Sequence, residues 1–161
     1  MRIGNIAIFA VIFSLAAGSI GVIALMWPNS KLDIKTCYEK LIKMDDPEKY
    51  YDNCDALAAK SINSDNQNNS ARSFNLRVGG LYNILVRDNE SRAILFLDKA
   101  ISLGNEEAKI DQVAMLVNDD KNPNCTKIKH LLLSFRPHDH KDEDRLRGWK
   151  ATYNFIGCGN L

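Results

Sequence analysis

Apolar residues follow two different patterns along the chain. From Ile3 to Trp27 they form an uncharged block, IGNIAIFAVIFSLAAGSIGVIALMW, whereas from Leu32 onward they recur every three or four positions among charged and amide residues. At about 1.5 Å per residue a helix over the block reaches roughly 37 Å, enough to cross a hydrocarbon core of about 30 Å. The second pattern predicts amphipathic helices packed on one another. The block has a competing reading as a cleaved signal peptide, with Arg2 as the charged start, Ile3 to Leu15 as the apolar region and Ala16, Ala17 and Gly18 before the cut. A cut there leaves IGVIALMW as a new apolar N-terminus, which favours the retained anchor. Residues 1–29 are therefore expected to be a membrane anchor or signal segment and residues 30–161 an exported domain. Its expected place is periplasmic or otherwise extracytoplasmic, held to the inner membrane by the N-terminal helix or, alternatively, secreted after cleavage.

The exported part reads as helices throughout. LDIKTCYEKLIKM and EKYYDNCDALAAKSI flank Asp45, Asp46 and Pro47, a tight turn in which Asp46 suits a cap and Pro47 the first helical position. The polar stretch NSDNQNNS, residues 63–70, predicts a loop. Four helical runs follow: ARSFNLRVGGLYNILV, ESRAILFLDKAISLG, NEEAKIDQVAMLV and CTKIKHLLLSF, broken at Arg87-Asp88-Asn89 and at NDDKNPN. Gly104 and Pro123 stand where a helix exit and a turn residue belong. After the polar connection RPHDHKDED, Asp139 opens a last helix, in which Trp149, Tyr153 and Ile156 share one apolar stripe suited to sealing the end of the domain.

All four cysteines, Cys37, Cys54, Cys125 and Cys158, lie after the apolar block, as expected of a disulfide set in an exported domain. Three pairings are open to four cysteines. Cys37 and Cys54 are equally far from the Asp45-Asp46 junction, so antiparallel helices bring them level, and that leaves Cys125 for Cys158. Composition adds exclusions. With 21 Lys+Arg against 20 Asp+Glu, the chain lacks the basic excess that recruits nucleic acid.

A shift of 35 residues aligns Gly79 with Ala114, Leu81 with Leu116, Tyr82 with Val117, Ala93 with Ile128, Leu97 with Leu132 and Ala100 with Phe135. Such a period in a helical chain points to stacked helix–turn–helix units. The stretch DNESRAILFLDKAISLGNEEA, residues 88–108, resembles the second half of a Sel-one-like repeat, a relative of the tetratricopeptide repeat. Ala93, Lys99-Ala100, Gly104 and Ala108 carry the resemblance, with Leu81-Tyr82 upstream. It extends from about Ala71 to Leu116; in the next unit Ile128 and Phe135 replace the alanines, and the loop near Val86 lacks the family's glycines. The resemblance implies an all-α short solenoid of stacked antiparallel hairpins, an adaptor or scaffold role and no cofactor. An unrelated helical bundle is the alternative.

Candidate chemistry is sparse. There is no nucleophile elbow, no HExxH and no glycine-rich phosphate loop, so the chain reads as a non-enzyme. His130, His138 and His140, with Cys125 nearby, suggest a metal site at most, and the H-D-H spacing does not place both rings on one helix face. Asn68-Asn69-Ser70, Asn89-Glu90-Ser91 and Asn124-Cys125-Thr126 match the glycosylation acceptor pattern. The expected function is binding of another envelope or periplasmic protein, with Arg72, Asn75, Asn83, Trp149 and Tyr153 as contact positions and an immunity protein against a secreted toxin as a narrower option. The rival is an envelope hydrolase or a modulator of one, which a buried carboxylate of raised pKa in a cleft would favour.

Overall fold

The structure, a computed structural model, describes residues 32–64, 68–118 and 123–161. The apolar block and the N-terminal helix expected there lie outside these residues. The described chain is all α, with seven helices: α1 (Ile34–Ile42), α2 (Pro47–Lys60), α3 (Asn69–Leu85), α4 (Glu90–Ser102), α5 (Glu106–Val117), α6 (Cys125–Ser134) and α7 (His140–Phe155). Among the described residues no helix is long and apolar enough to cross a membrane.

Caps set most of the helix starts. The side chains of Asp33, Asn68, Asn89, Asn105, Asn124 and Asp139 each accept a hydrogen bond from a backbone N–H in the first turn of the helix that follows. Each such bond satisfies one of the four donors that a helix start leaves unpaired. Asn68, Asn89 and Asn124 are the three asparagines of the acceptor-like triplets, so capping accounts for Asn at those places. Because Asn68 caps it, α3 starts two residues ahead of the apolar run that marked it. The α2 start differs from the expectation. Asp46 sits at the cap position with φ 49° and makes no side-chain cap bond, while Pro47 removes one of the donors a cap would serve.

Consecutive helices pack in chain order, and α3 is the hub, touching α1, α2, α4 and α5. Two adjacent glycines on α3 make this possible. A Cβ on Gly79 would collide with Ala58 on α2 and come within 3.1 Å of Phe96 on α4, and one on Gly80 would lie 2.7 Å from Leu97. Ala58, Ala93 and Ala100, all fully buried, complete the close approach. Leu76, Phe96 and Leu97 fill the centre, and Val113, Ile128, Leu132 and Tyr153 form the core toward the C-terminus.

Cys37 is joined to Cys54, the pair expected from the hairpin spacing, and Cys125 to Cys158, the pair that this leaves. The first staples α1 to α2 beneath Tyr82, whose hydroxyl donates to the Cys37 carbonyl at 2.9 Å. The second ties the start of α6 to the chain after α7. Loop closure by bridges of this kind stabilises a fold by about 2–4 kcal/mol each.

Candidate functional site

Helix α3 touches both α1 and α5, and Arg77 of α3 feels Tyr38 of α1 as well as Asp111 of α5, so the three helices share one side of the molecule. Between α1 and α3 this side opens into a groove of about 630 Å³ lined by Ile34, Tyr38, Ile42, Ala71 and Phe74. The sequence of α1 explains it. Cys37 and Leu41 form its buried stripe, but Ile34, Tyr38 and Ile42 form a second apolar line beside it, and Ile42 is 61% exposed. The ring of Tyr38 meets that of Phe74 edge to face at 5.4 Å, which makes the floor aromatic and firm. Lys35, Glu39 and Lys43 run along the α1 rim at successive turns, with Asn75 on the α3 side. Among the described residues, none of these three charged side chains makes an ion pair with another.

Past the groove, the same side closes. Arg77 of α3 donates to Asp111 of α5 at 2.5 Å and reaches Glu107 at 3.4 Å, and Arg145 of α7 contacts Glu107 at 3.0 Å and Asp142 at 3.4 Å. Four of the five side chains are two-thirds or more covered. Desolvation pushes the Asp111 carboxyl above its ordinary value, against the pull of Arg77 and helped by Glu107. Burial also works against the Arg77 charge, but the bonds it donates to Asp111 and the attraction of that carboxylate outweigh it and hold the guanidinium firmly protonated, with Glu107 and the nearby Tyr38 adding to the effect. A guanidinium does not lose its proton in a protein, so this is an ion pair.

A further polar cluster joins α2, α3 and α4. Arg92 forks both oxygens of Asp55 at 2.7 and 2.5 Å, Asn83 donates to Asp55 and to the Gly79 carbonyl, and the Tyr51 hydroxyl donates to Asn83. Burial raises the Asp55 pKa, but the bonds from Arg92 and Asn83 outweigh it and leave the carboxyl below the usual range. Arg87 stacks over Tyr51 at 4.7 Å. A smaller cleft of about 480 Å³ lies between the end of α3 and the end of α5, lined by Ile84, Leu85, Asp88, Glu90, Met115 and Asn118.

The five contact positions read from the sequence part into two groups. Arg72 is 9% exposed and donates to the carbonyls of Ser61 and Ile62, closing the C-terminal end of α2. Asn83 is fully buried in the Asp55 cluster, and Tyr153 is 3% exposed in the core. These three are interior residues, because α3 is packed on several sides and α7 turns its aromatic stripe inward. Asn75 lines the groove and bonds Ser61 through its amide at 2.9 Å, and Trp149 is half-buried against the C-terminal core. The aromatic that does face solvent on the tail is Phe155, at 91%. Sequence reading missed Ile34, Tyr38, Ile42 and Phe74; their signal was the second apolar line on α1, wider than one packed face requires.

His130 and His138 are exposed, and His140 meets Glu143 across one turn. Among the described residues no group of three His, Cys, Asp or Glu side chains is placed to hold a metal ion, and Cys125 is oxidised. Asp111 is the buried carboxylate of raised pKa that hydrolytic chemistry would call for, but Arg77 occupies it and it lines neither cleft. Compared with protein-family models, with curated proteins and with solved structures, the chain matches none.

Proposed function

We propose that the protein is a non-enzymatic interaction module, an adaptor or scaffold of the cell envelope, and that its docking surface is the α1/α3 groove. The observation that carries this reading is an apolar, aromatic-floored groove left open on a side that is otherwise locked by ion pairs. Exposed apolar patches rimmed by polar residues mark interaction sites. Aromatic side chains in such pockets supply much of the binding energy of protein interfaces.

The architecture we assign is a short solenoid of antiparallel hairpins, with α7 as its cap, similar to Sel-one-like and tetratricopeptide-like repeats. Support comes from positions related by the 35-residue shift: Ala93 and Ile128, Leu97 and Leu132, and Ala100 and Phe135 are all buried. Two disulfides fit an oxidising, extracytoplasmic environment. Residues 3–27 serve as the anchor in this reading. Seven residue steps from Trp27 to Ile34, at no more than about 3.5 Å each, keep the groove within roughly 25 Å of the end of that block. An immunity protein that masks a secreted toxin is the narrower form, which a small, disulfide-bonded helical domain suits.

The test is affinity capture of the full chain from its native envelope, comparing Ile42→Asp in the groove with Phe155→Glu on the tail. The expected result is one stoichiometric protein partner that the Ile42 variant loses and the Phe155 variant keeps. Retention by the Ile42 variant, or no such partner, overturns the reading.

A further inference from the structure

The charges on the groove rim say more about the occupant than the apolar floor does. Lys35, Glu39 and Lys43 stand one helical turn apart, beside the line of Ile34, Tyr38 and Ile42, and all six face the groove. An occupant that runs along α1 therefore meets an apolar line and, next to it, plus, minus, plus at a spacing of about 6 Å, four residues at about 1.5 Å each. The order reads the same in both directions.

We infer that the occupant is an amphipathic helix of the partner protein whose flank carries acid, base and acid one turn apart, opposite Lys35, Glu39 and Lys43. The inference rests on the groove being the docking surface. A helix is the element that repeats apolar and charged residues at this interval, and its apolar face set in a groove is a recurrent mode of recognition.

The same charges argue against three other occupants. A second copy pairing α1 with α1 in register and antiparallel sets Lys35 against Lys43 and Glu39 against Glu39, and a parallel pairing puts the two charged flanks on opposite sides, where neither answers the other. The chain's own block, Ile3 to Trp27, has no charge with which to answer the rim. A bilayer of anionic lipid meets Lys35 and Lys43 favourably but faces Glu39 between them. Rim charges contribute little affinity each, yet they fix register and partner choice.

The experiment uses the full chain in nanodiscs and two synthetic helical peptides with one shared leucine stripe. One peptide carries Glu, Lys and Glu beside the stripe at successive turns, the other Lys, Glu and Lys. Titration by fluorescence anisotropy should give at least about tenfold tighter binding of the Glu-Lys-Glu peptide at low salt, with the gap closing at high salt. The triple variant Lys35→Glu, Glu39→Lys and Lys43→Glu should reverse the preference, which a merely structural effect would not do. Equal binding of the two peptides, or binding of neither, overturns the inference. Binding in detergent that disappears in nanodiscs assigns the face to lipid and overturns it too. Because capture with the Ile42→Asp variant is read separately, loss of the charge preference leaves the docking reading standing, whereas loss of the partner requirement for Ile42 removes both.

Discussion

One side of the molecule contains two regions built from the same kinds of helices that end in opposite states. Between α1 and α3 the surface is apolar and open, with Ile42 in solvent and the rim charges in no ion pair among the described residues; between α3, α5 and α7 it is closed by Arg77, Asp111, Glu107, Arg145 and Asp142. The difference lies in what each helix finds opposite it. Arg77 has a carboxylate within reach on the neighbouring helix, and the pair excludes water by satisfying itself. Tyr38 and Phe74 pack on the core beneath them and edge to face on each other, while their outer sides line the open groove, so that half keeps surface free for another molecule. A domain that only needed to be stable would gain from covering Ile42.

The contrast can be broken most severely at the closed end. Arg77→Met leaves Asp111 buried without its partner and should destabilise the fold by about 3–5 kcal/mol in denaturant titration. Adding Asp111→Leu should recover most of that loss; if the double variant is no better than the single one, the ion pair is not what closes this region. Next in size come the bridges. Replacing Cys37 and Cys54 together by Ala should cost about 2–4 kcal/mol, and so should replacing Cys125 and Cys158. Equal and small losses would show that helix packing alone holds both ends.

Gly79→Ala forces a methyl group onto Ala58 and Phe96 and should cost about 1–3 kcal/mol, measured as a shifted urea midpoint with an unchanged slope. A pH effect belongs to Asp55. Its folded pKa lies below the unfolded value, so its contribution is present above the unfolded value near pH 4 and is lost as pH falls through the folded one. Asp55→Asn should flatten the acid side of the stability curve, and an unchanged acid limb would count against the Arg92 pair. Smallest of all, Ile42→Asp should alter stability by less than about 0.5 kcal/mol while removing the partner. A large loss of stability there would mean that the groove is core and not docking surface.

Much of the helical order was legible because it rests on local signals. The three-to-four spacing marks each helix, Asn105 and Asp139 start theirs, and Gly104 leaves α4 with φ 88°, a backbone state that glycine adopts without cost. The hairpin register was legible too, since the distance of each cysteine from the Asp45-Asp46 turn fixes which residues stand level. The contact residues were less so. Arg72 and Asn83 look like surface polar groups on an amphipathic helix, yet α3 touches four other helices, so these two side chains make internal bonds to α2 and to the turn that ends it. No periodicity states how many neighbours a helix has. The groove was hidden for the complementary reason: Ile34, Tyr38 and Ile42 have the spacing of a core stripe, and only the position of α3 shows that the first two are covered in part and Ile42 hardly at all.

The contrast between the two regions is tested most directly by photocrosslinking in the native envelope from one position in each. A benzophenone amino acid at Ile42 should give a single protein adduct, and the same group at Glu143 on α7 should give none. Adducts from Glu143 alone, or equal adducts from both positions, would contradict the assignment of the open groove as the docking surface.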